Sequence, residues 1–452
     1  MNEFIQEEIR NFKEVFKRIK KKDFSGTSGQ AIKNSGYQLS QNLIMKLGSL
    51  FFTIIIARML LPELFGLYSL ALATIILFVS FSDLGISSAL ITFGSKMLGQ
   101  KNNPKAKAYV KKLLKWKLNL VFLASIILLL SSYFISNIYY NKPIFYALIA
   151  GAIYLPLVTL LGFFESLFKV TNNFKYPFIK EVFFQVLRFI FVPLVIFLLL
   201  KTNFSNNIFI ALIILTISFC YLITNLFLIF FVKRKINFLK IKEIKLNKKE
   251  SIDLKNFIIP LTTIAFSGVF FGYIDILMLG HFVSAEFISY YGSAFSLVGA
   301  AAAIIGFTAM ALLPLFSKLK GKSLDDLFKK TRNFTILISF ITSIFTYFFA
   351  KQIVQIAYGV EYLQAVPILR IFSIIIFVIP IVGLYGSYLI SQEKTKTLAF
   401  LLISATIINI ILNILAINYG LRFGEFEAVL GATFATIISR IIYLMGLILF
   451  RK

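Results

Sequence analysis

The sequence predicts an all-α polytopic membrane protein of about twelve transmembrane helices, in two six-helix bundles with both termini cytosolic. Three observations lead there. Of the 452 residues 58% are hydrophobic and the mean hydropathy is +0.85, whereas apolar residues make up about half of a soluble chain. Apolar runs long enough to cross a bilayer, about 20 residues each, recur along the chain. A short pattern also returns half a chain later. In ARMLLPELFGLYSLA, Glu63, Tyr68 and Ala71 answer Glu286, Tyr291 and Ala294 of GHFVSAEFISYYGSAFSLVG, and Ser95–Gly99 (SKMLG) answers Ser317–Gly321 (SKLKG). An offset of roughly half the chain that recurs, to within one residue, in a downstream element argues for an internal duplication, which places a site between the halves.

The first stretch carries Ile5, Ile9, Phe12, Phe16 and Ile19 on one helical stripe, with Arg10, Lys13, Lys17 and Lys20 off it. Such a segment suits a helix resting on anionic headgroups or one packed on another cytosolic loop. It has no apolar core or cleavage site of a secretory signal. The spans expected after it are 37–57, 65–82, 118–138, 144–168, 178–200, 208–232, 257–279, 287–313, 334–357, 365–390, 398–419 and 426–450. They divide the chain into a cytosolic amphipathic segment (1–35), an N-terminal bundle (36–232), a basic linker (233–255) and a C-terminal bundle (256–452).

Most of the 47 Lys and Arg fall in segments on the N-terminal side of the membrane, around 101–117, 233–255 and 318–332. The positive-inside rule makes that side cytosolic. Nucleic acid is not the expected partner of the +27 charge, because the basic residues sit between spans and the 52 Phe against one Trp are lipid-facing bulk. Anionic membrane lipids are. The single Cys220 excludes an internal disulfide and the lone His281 leaves no zinc set. No metal, cofactor or catalytic residue is expected. External connections of at most about ten residues offer no room for outer-face enzymology.

Ionisable groups inside a bilayer are costly and default to site hypotheses. Lys46, about nine residues into the first span, lies near the middle of a layer about 30 Å thick. Arg188 and Arg440 are similarly deep. Facing one another, the three cations would form a cavity for an anion; alternatively each pairs with a carboxylate, Glu181 or Asp275. Asp275, in GYIDILMLG, is a site for a proton or coupling cation, or a helix-to-helix hydrogen bond. Lys351 and Arg370 are placed to snorkel, and Glu165 and Glu393 to meet solvent at inner span ends. Pro156, Pro193, Pro260 and Pro380 bend their spans, as hinges or as static kinks. Small residues from Gly299 to Ala303, with Gly306 and Ala309, allow close packing of the eighth span.

The segment INIILNILAINYGLRFGEFEAVLGATFATIISRIIYL, with Asn409, Asn413, Gly420, Gly431, Ala432, Ala435 and Thr436, resembles oligosaccharide-lipid flippases of the multidrug/oligosaccharidyl-lipid/polysaccharide exporter superfamily. ARMLLPELFGLYSLA with its following SDLG, and FESLFKVTNNFKYPFIKEVFFQVLRFIF, look similar to the same family. The resemblance runs from Ser35 onward. It implies two bundles related by a pseudo-two-fold axis along the membrane normal, rocking around a central cavity in the cytoplasmic membrane. It implies a polyprenyl-pyrophosphate-linked oligosaccharide as cargo, possible glycan-assembly enzymes as partners, and no catalysis; the chain is expected to be a monomer. Lys46, Arg188 and Arg440 would then meet the pyrophosphate, since guanidinium groups bind phosphate oxygens bidentately. A drug or cation antiporter of the superfamily would favour acidic groups in the cavity. A polysaccharide polymerase or ligase would need a carboxylate pair or metal that this chain does not offer.

Overall fold

The computed structural model describes residues 26–451 except 243 and 320, so the amphipathic stripe from Ile5 to Ile19 lies outside the described residues. The helices are α1 (Gly26–Asp83), α2 (Ile86–Gly99), α3 (Asn103–Tyr133, followed by a π turn to Tyr140), α4 (Phe145–Val170), α5 (Lys175–Leu199), α6 (Asn206–Lys235), α7 (Lys248–Phe282), α8 (Ala285–Lys318), α9 (Gly321–Phe348), α10 (Ala350–Tyr358), α11 (Ala365–Ser391), α12 (Thr395–Gly420) and α13 (Glu425–Leu449). No strand occurs among the described residues.

A straight helix as long as α1 would reach about 87 Å at 1.5 Å per residue, nearly three bilayer cores of about 30 Å. It does not run straight. At Leu61 the backbone takes φ 59° and ψ 174°, a region that is essentially glycine's, and Pro62 opens the next leg where a missing N–H costs nothing. The expected turn between the first two spans is thus a break at one residue. Among the described residues ten helical runs are long and apolar enough to cross a membrane, and α9 with α10, bent by 76°, makes another. Counting the two legs of α1 separately gives the twelve expected spans.

Three boundaries differ from expectation. The ninth span is not continuous, because α9 stops at Phe348 and α10 sets off across it. The basic stretch after Lys101 is helical from Asn103. The linker is helical or 3-10 except for a few residues before Asn247, whose side chain caps α7 in a reciprocal box with Glu250.

The burial pattern gives the conformation. On the side away from the basic loops one core joins the halves, with Ile56, Leu70 and Ala71 packed in the same cluster as Ile288, Tyr291 and Phe372. The elbows meet there. On the cytosolic side the cores are separate, one around Leu90, Leu113 and Phe168, the other around Phe316, Phe328 and Tyr388. The molecule is closed outside and parted inside. Five main-chain carbonyls accept the bonds that seal the outer face. Arg58 donates from Nε to Ala357 at 2.7 Å and from Nη2 to Ile356. Lys142 donates to Gly280 at 2.6 Å, His281 to Tyr139 at 2.5 Å and Tyr362 to Ala57 at 2.8 Å. Inside, the start of α7 docks on the N-terminal half. Lys105 pairs with Glu250, Lys112 bonds Ser251, Phe257 packs edge-on to Phe93 at 5.3 Å, and Thr262 donates to the Leu84 carbonyl at 2.9 Å.

Bare apolar surface covers the outside of the bundle, with Phe122, Leu130, Phe348 and Leu415 all exposed. That is a surface made for lipid.

Candidate functional site

Two cavities share a wall at Met45. The first, about 520 Å³, is a groove between α1 and the pair α8 and α11. Its walls are apolar, including Leu43, Leu47, Ile304 and Ile379, and small at Ala300, Ala303, Gly306 and Gly383; Lys46 and Asn42 are set among them. The run of small residues on α8 thus opens a space as well as permitting close packing. Pro380 lies in this wall.

The second, about 320 Å³, lies within the N-terminal half among α1, α4, α5 and α6. It is polar. Glu165 of α4 pairs with Lys169 at 2.7 Å and with Lys180 of α5 at 2.8 Å, and accepts from Gln41 at 3.0 Å. Lys180 also pairs with Glu181 at 2.9 Å. The series continues along one face of α5, because residues four and three apart share a face. Gln185 donates to Glu181 at 2.7 Å and accepts from Arg188 at 2.6 Å. Glu165, expected to be solvated, is only 13% exposed in this network, because a carboxylate inside the bundle is tolerated when cations satisfy it.

Arg188 makes no ion pair within 4.0 Å among the described residues, and its buried Nε has no partner. Its guanidinium lies 4.0 Å from the ring centre of Phe52 and 5.4 Å from that of Phe184, where aromatic faces attract a cation. Glu181, the proposed counter-charge, is instead engaged by Lys180.

Arg440 lines neither cavity. On α13 it donates to the Phe271 carbonyl at 3.2 Å and lies over Phe271 and Phe295 at 4.6 and 5.4 Å. One turn beyond Phe271, Asp275 is 2% exposed and accepts from Asn413 at 2.7 Å. Asn413 donates also to the Asn409 carbonyl at 3.0 Å, Asn409 donates to Ser439 at 3.1 Å, and Tyr291 meets Thr436 at 3.0 Å. The side-chain oxygens of Asn409 and Asn413 and Nε of Arg440 are buried without partners. The structure therefore groups the four sequence-derived residues in pairs. Lys46 and Arg188 line neighbouring cavities that share Met45, while Arg440 and Asp275 belong to a polar cluster inside the C-terminal half. Gln41, Lys180 and Gln185 were missed by sequence reasoning, and Glu165 was read as solvent-facing; the signal was the spacing of Glu181, Gln185 and Arg188.

Twelve spans parted on one side around such cavities define a membrane transporter, and two family models agree. The polysaccharide biosynthesis protein model matches residues 31–320 and the MatE model residues 260–415. The chain belongs to the polysaccharide biosynthesis protein family, within the multidrug/oligosaccharidyl-lipid/polysaccharide exporter superfamily. Solved structures share the fold. The lipid II flippase MurJ in an inward closed conformation is 18% identical with a TM-score of 0.64, covering 92% of this chain and 87% of that one. An inward-facing multidrug resistance MATE transporter gives 12% and 0.63, covering 92% and 94%. The Vibrio cholerae MATE transporter VcmN in its bent form gives 15% and 0.57, covering 91% and 97%. No functionally curated protein matches the sequence.

Proposed function

We propose that this protein is a flippase that carries a polyprenyl-pyrophosphate-linked oligosaccharide from the inner to the outer leaflet of the cytoplasmic membrane by alternating access. The observation that carries the reading is the shared wall at Met45, where an apolar groove holding Lys46 adjoins a polar chamber holding Arg188. A polar head and a long apolar tail need those two environments side by side. Lys46 supplies a point charge and Arg188 a planar donor edge for phosphate oxygens. The tail stays in the groove and the bilayer, so no long chain need be buried in protein. Asp275 is the candidate coupling site, because its carboxylate accepts from Asn413, whose own side-chain oxygen is buried without a partner. Arg440, on α13, bonds the Phe271 carbonyl one turn from Asp275 on α7. The likeness to the lipid II flippase supports a lipid-linked cargo, the action is transport without catalysis, and the partners are the substrate, anionic lipids and the enzymes that assemble the glycan.

The MatE match favours a second reading, a drug or cation antiporter. The basic groups at Lys46 and Arg188 weigh against a cationic drug. In cells and proteoliposomes, Arg188→Ala and Arg440→Ala are expected to abolish glycolipid export while inserting normally. Wild-type export by both would overturn the assignment of those residues; export of labelled cationic dyes but no glycolipid would establish the antiporter.

A further inference from the structure

The chamber that holds Arg188 is poorly made for an anion alone. Its charged walls are Glu165, Lys180, Glu181 and Arg188; Lys180 is engaged by both acids and Lys169 by Glu165, so within the walls only Arg188 is left for an anion. Its capacity for hydrogen bonds is large in both directions. Lys180 has three donors and uses two, on Glu165 and Glu181. Gln185 has an amide hydrogen beyond the one given to Glu181, and Nε of Arg188 is unpartnered. The carboxylates keep spare lone pairs. Phe184 and Tyr221, stacked at 4.4 Å, supply an aromatic wall. A volume of about 320 Å³ falls within the range of small-molecule sites, about 300–1,000 Å³.

We propose that this chamber is a subsite for an uncharged, hydroxyl-rich sugar of the cargo's head, held by Glu181, Gln185 and Lys180 and closed to acidic sugars. The inference rests on the glycolipid reading above and adds which part of the cargo is read, and where. A polyol offers donors and acceptors on every carbon and matches walls that present both. A uronate brings a carboxylate against Glu165 and Glu181 in a site of low dielectric, where like charges repel strongly. Phosphate is left to Arg188 and, in the adjoining groove, to Lys46.

The test uses the full-length protein in nanodiscs and saturation-transfer NMR with methyl glycosides of glucose, galactose, N-acetylglucosamine and N-acetylgalactosamine, with methyl glucuronide as the charged probe. A plug comes from Gly162, which lines the chamber and where an added Cβ would meet nothing within 4 Å. Gly162→Leu is therefore placed to occupy the space, and Gln185→Leu removes an amide donor and an acceptor. Expected is transfer from at least one neutral glycoside, lost in Gly162→Leu, weakened in Gln185→Leu and absent for glucuronide. Thermal unfolding shows whether both variants are folded. Absence of any neutral signal sensitive to Gly162→Leu overturns the proposal, as does glucuronide giving a plug-sensitive signal as strong as the sugars. Farnesyl pyrophosphate is a separate arm: its failure to bind wild-type protein counts against the lipid-linked cargo, and leaves the sugar result to stand or fall by itself.

Discussion

Gly66 and Ala285 meet backbone to backbone, so that a Cβ on Gly66 would lie 1.7 Å from the Ala285 carbonyl oxygen. The elbow of one half is seated on the start of α8 in the other, and only a residue without a side chain permits it. Gly66→Ala is expected to hold the outer face open. Spin labels at the exposed outer positions Lys201 and Arg422, in a Cys220→Ser background, should report a longer distance than in the parent. Gly36→Ala, where a Cβ meets nothing within 4 Å, should leave it unchanged.

Arg58 contributes to the same closure through two bonds to the last carbonyls of α10. Hydrogen bonds to charged groups are worth about 1.5–3 kcal/mol each, so Arg58→Ala should raise the outward-open population about tenfold or more. The same pair of labels measures it.

Lys117 and Asp83 pair at 2.5 Å, but the lysine side chain is 1% exposed and the aspartate 37%. Removing the two partners should not cost the same. Asp83→Ala strands a buried ammonium beside Phe163 and should destabilise by about 3–5 kcal/mol. Lys117→Met leaves an apolar chain in an apolar site and an acid that reaches water, and should cost far less. Thermal unfolding in detergent compares them, and equal losses would contradict this account.

Asp275→Asn keeps an oxygen to accept from Asn413 and should fold as the parent does. Under the proposed coupling role it transports without dependence on an imposed proton or sodium gradient. Proteoliposomes with each gradient applied separately decide the point.

At the cytosolic end of α7 the bonded Lys105 ammonium, helped by the Asn247 main chain and opposed by partial burial, holds the Glu250 carboxyl below the usual range. A depressed folded value means that its stabilisation is present above the unfolded value, about 4.3, and is lost as pH falls from there through the folded value. Protection from hydrogen exchange at 248–255, taken relative to the intrinsic rate at each pH, should therefore fall on acidification below about pH 4. Glu250→Gln should flatten that pH profile.

The twelve spans were legible because each is a run of apolar residues, and lipid demands such runs wherever a helix crosses. The break at Phe349 was not. It has neither Pro nor Gly to announce it, and follows from how α10 packs on α11 and under Arg58. The deep cations were legible as cations, but their company was not. Nothing in the local sequence says that Glu165 meets Lys180 or that Arg440 reaches the Phe271 carbonyl, since each contact joins different helices. Gln185 was overlooked because an uncharged amide in a span raises no alarm, although its place between Glu181 and Arg188 on one helical face could have been read.

The outer seal has a consequence for how such a sequence can drift. Its acceptors are main-chain oxygens, at Ala57, Tyr139, Gly280, Ile356 and Ala357. A carbonyl survives replacement of its side chain, so positions 356 and 357 are free to vary without a compensating change at Arg58. Comparisons of related sequences that look for paired substitutions will therefore see little at this interface, even though the two halves are held together there.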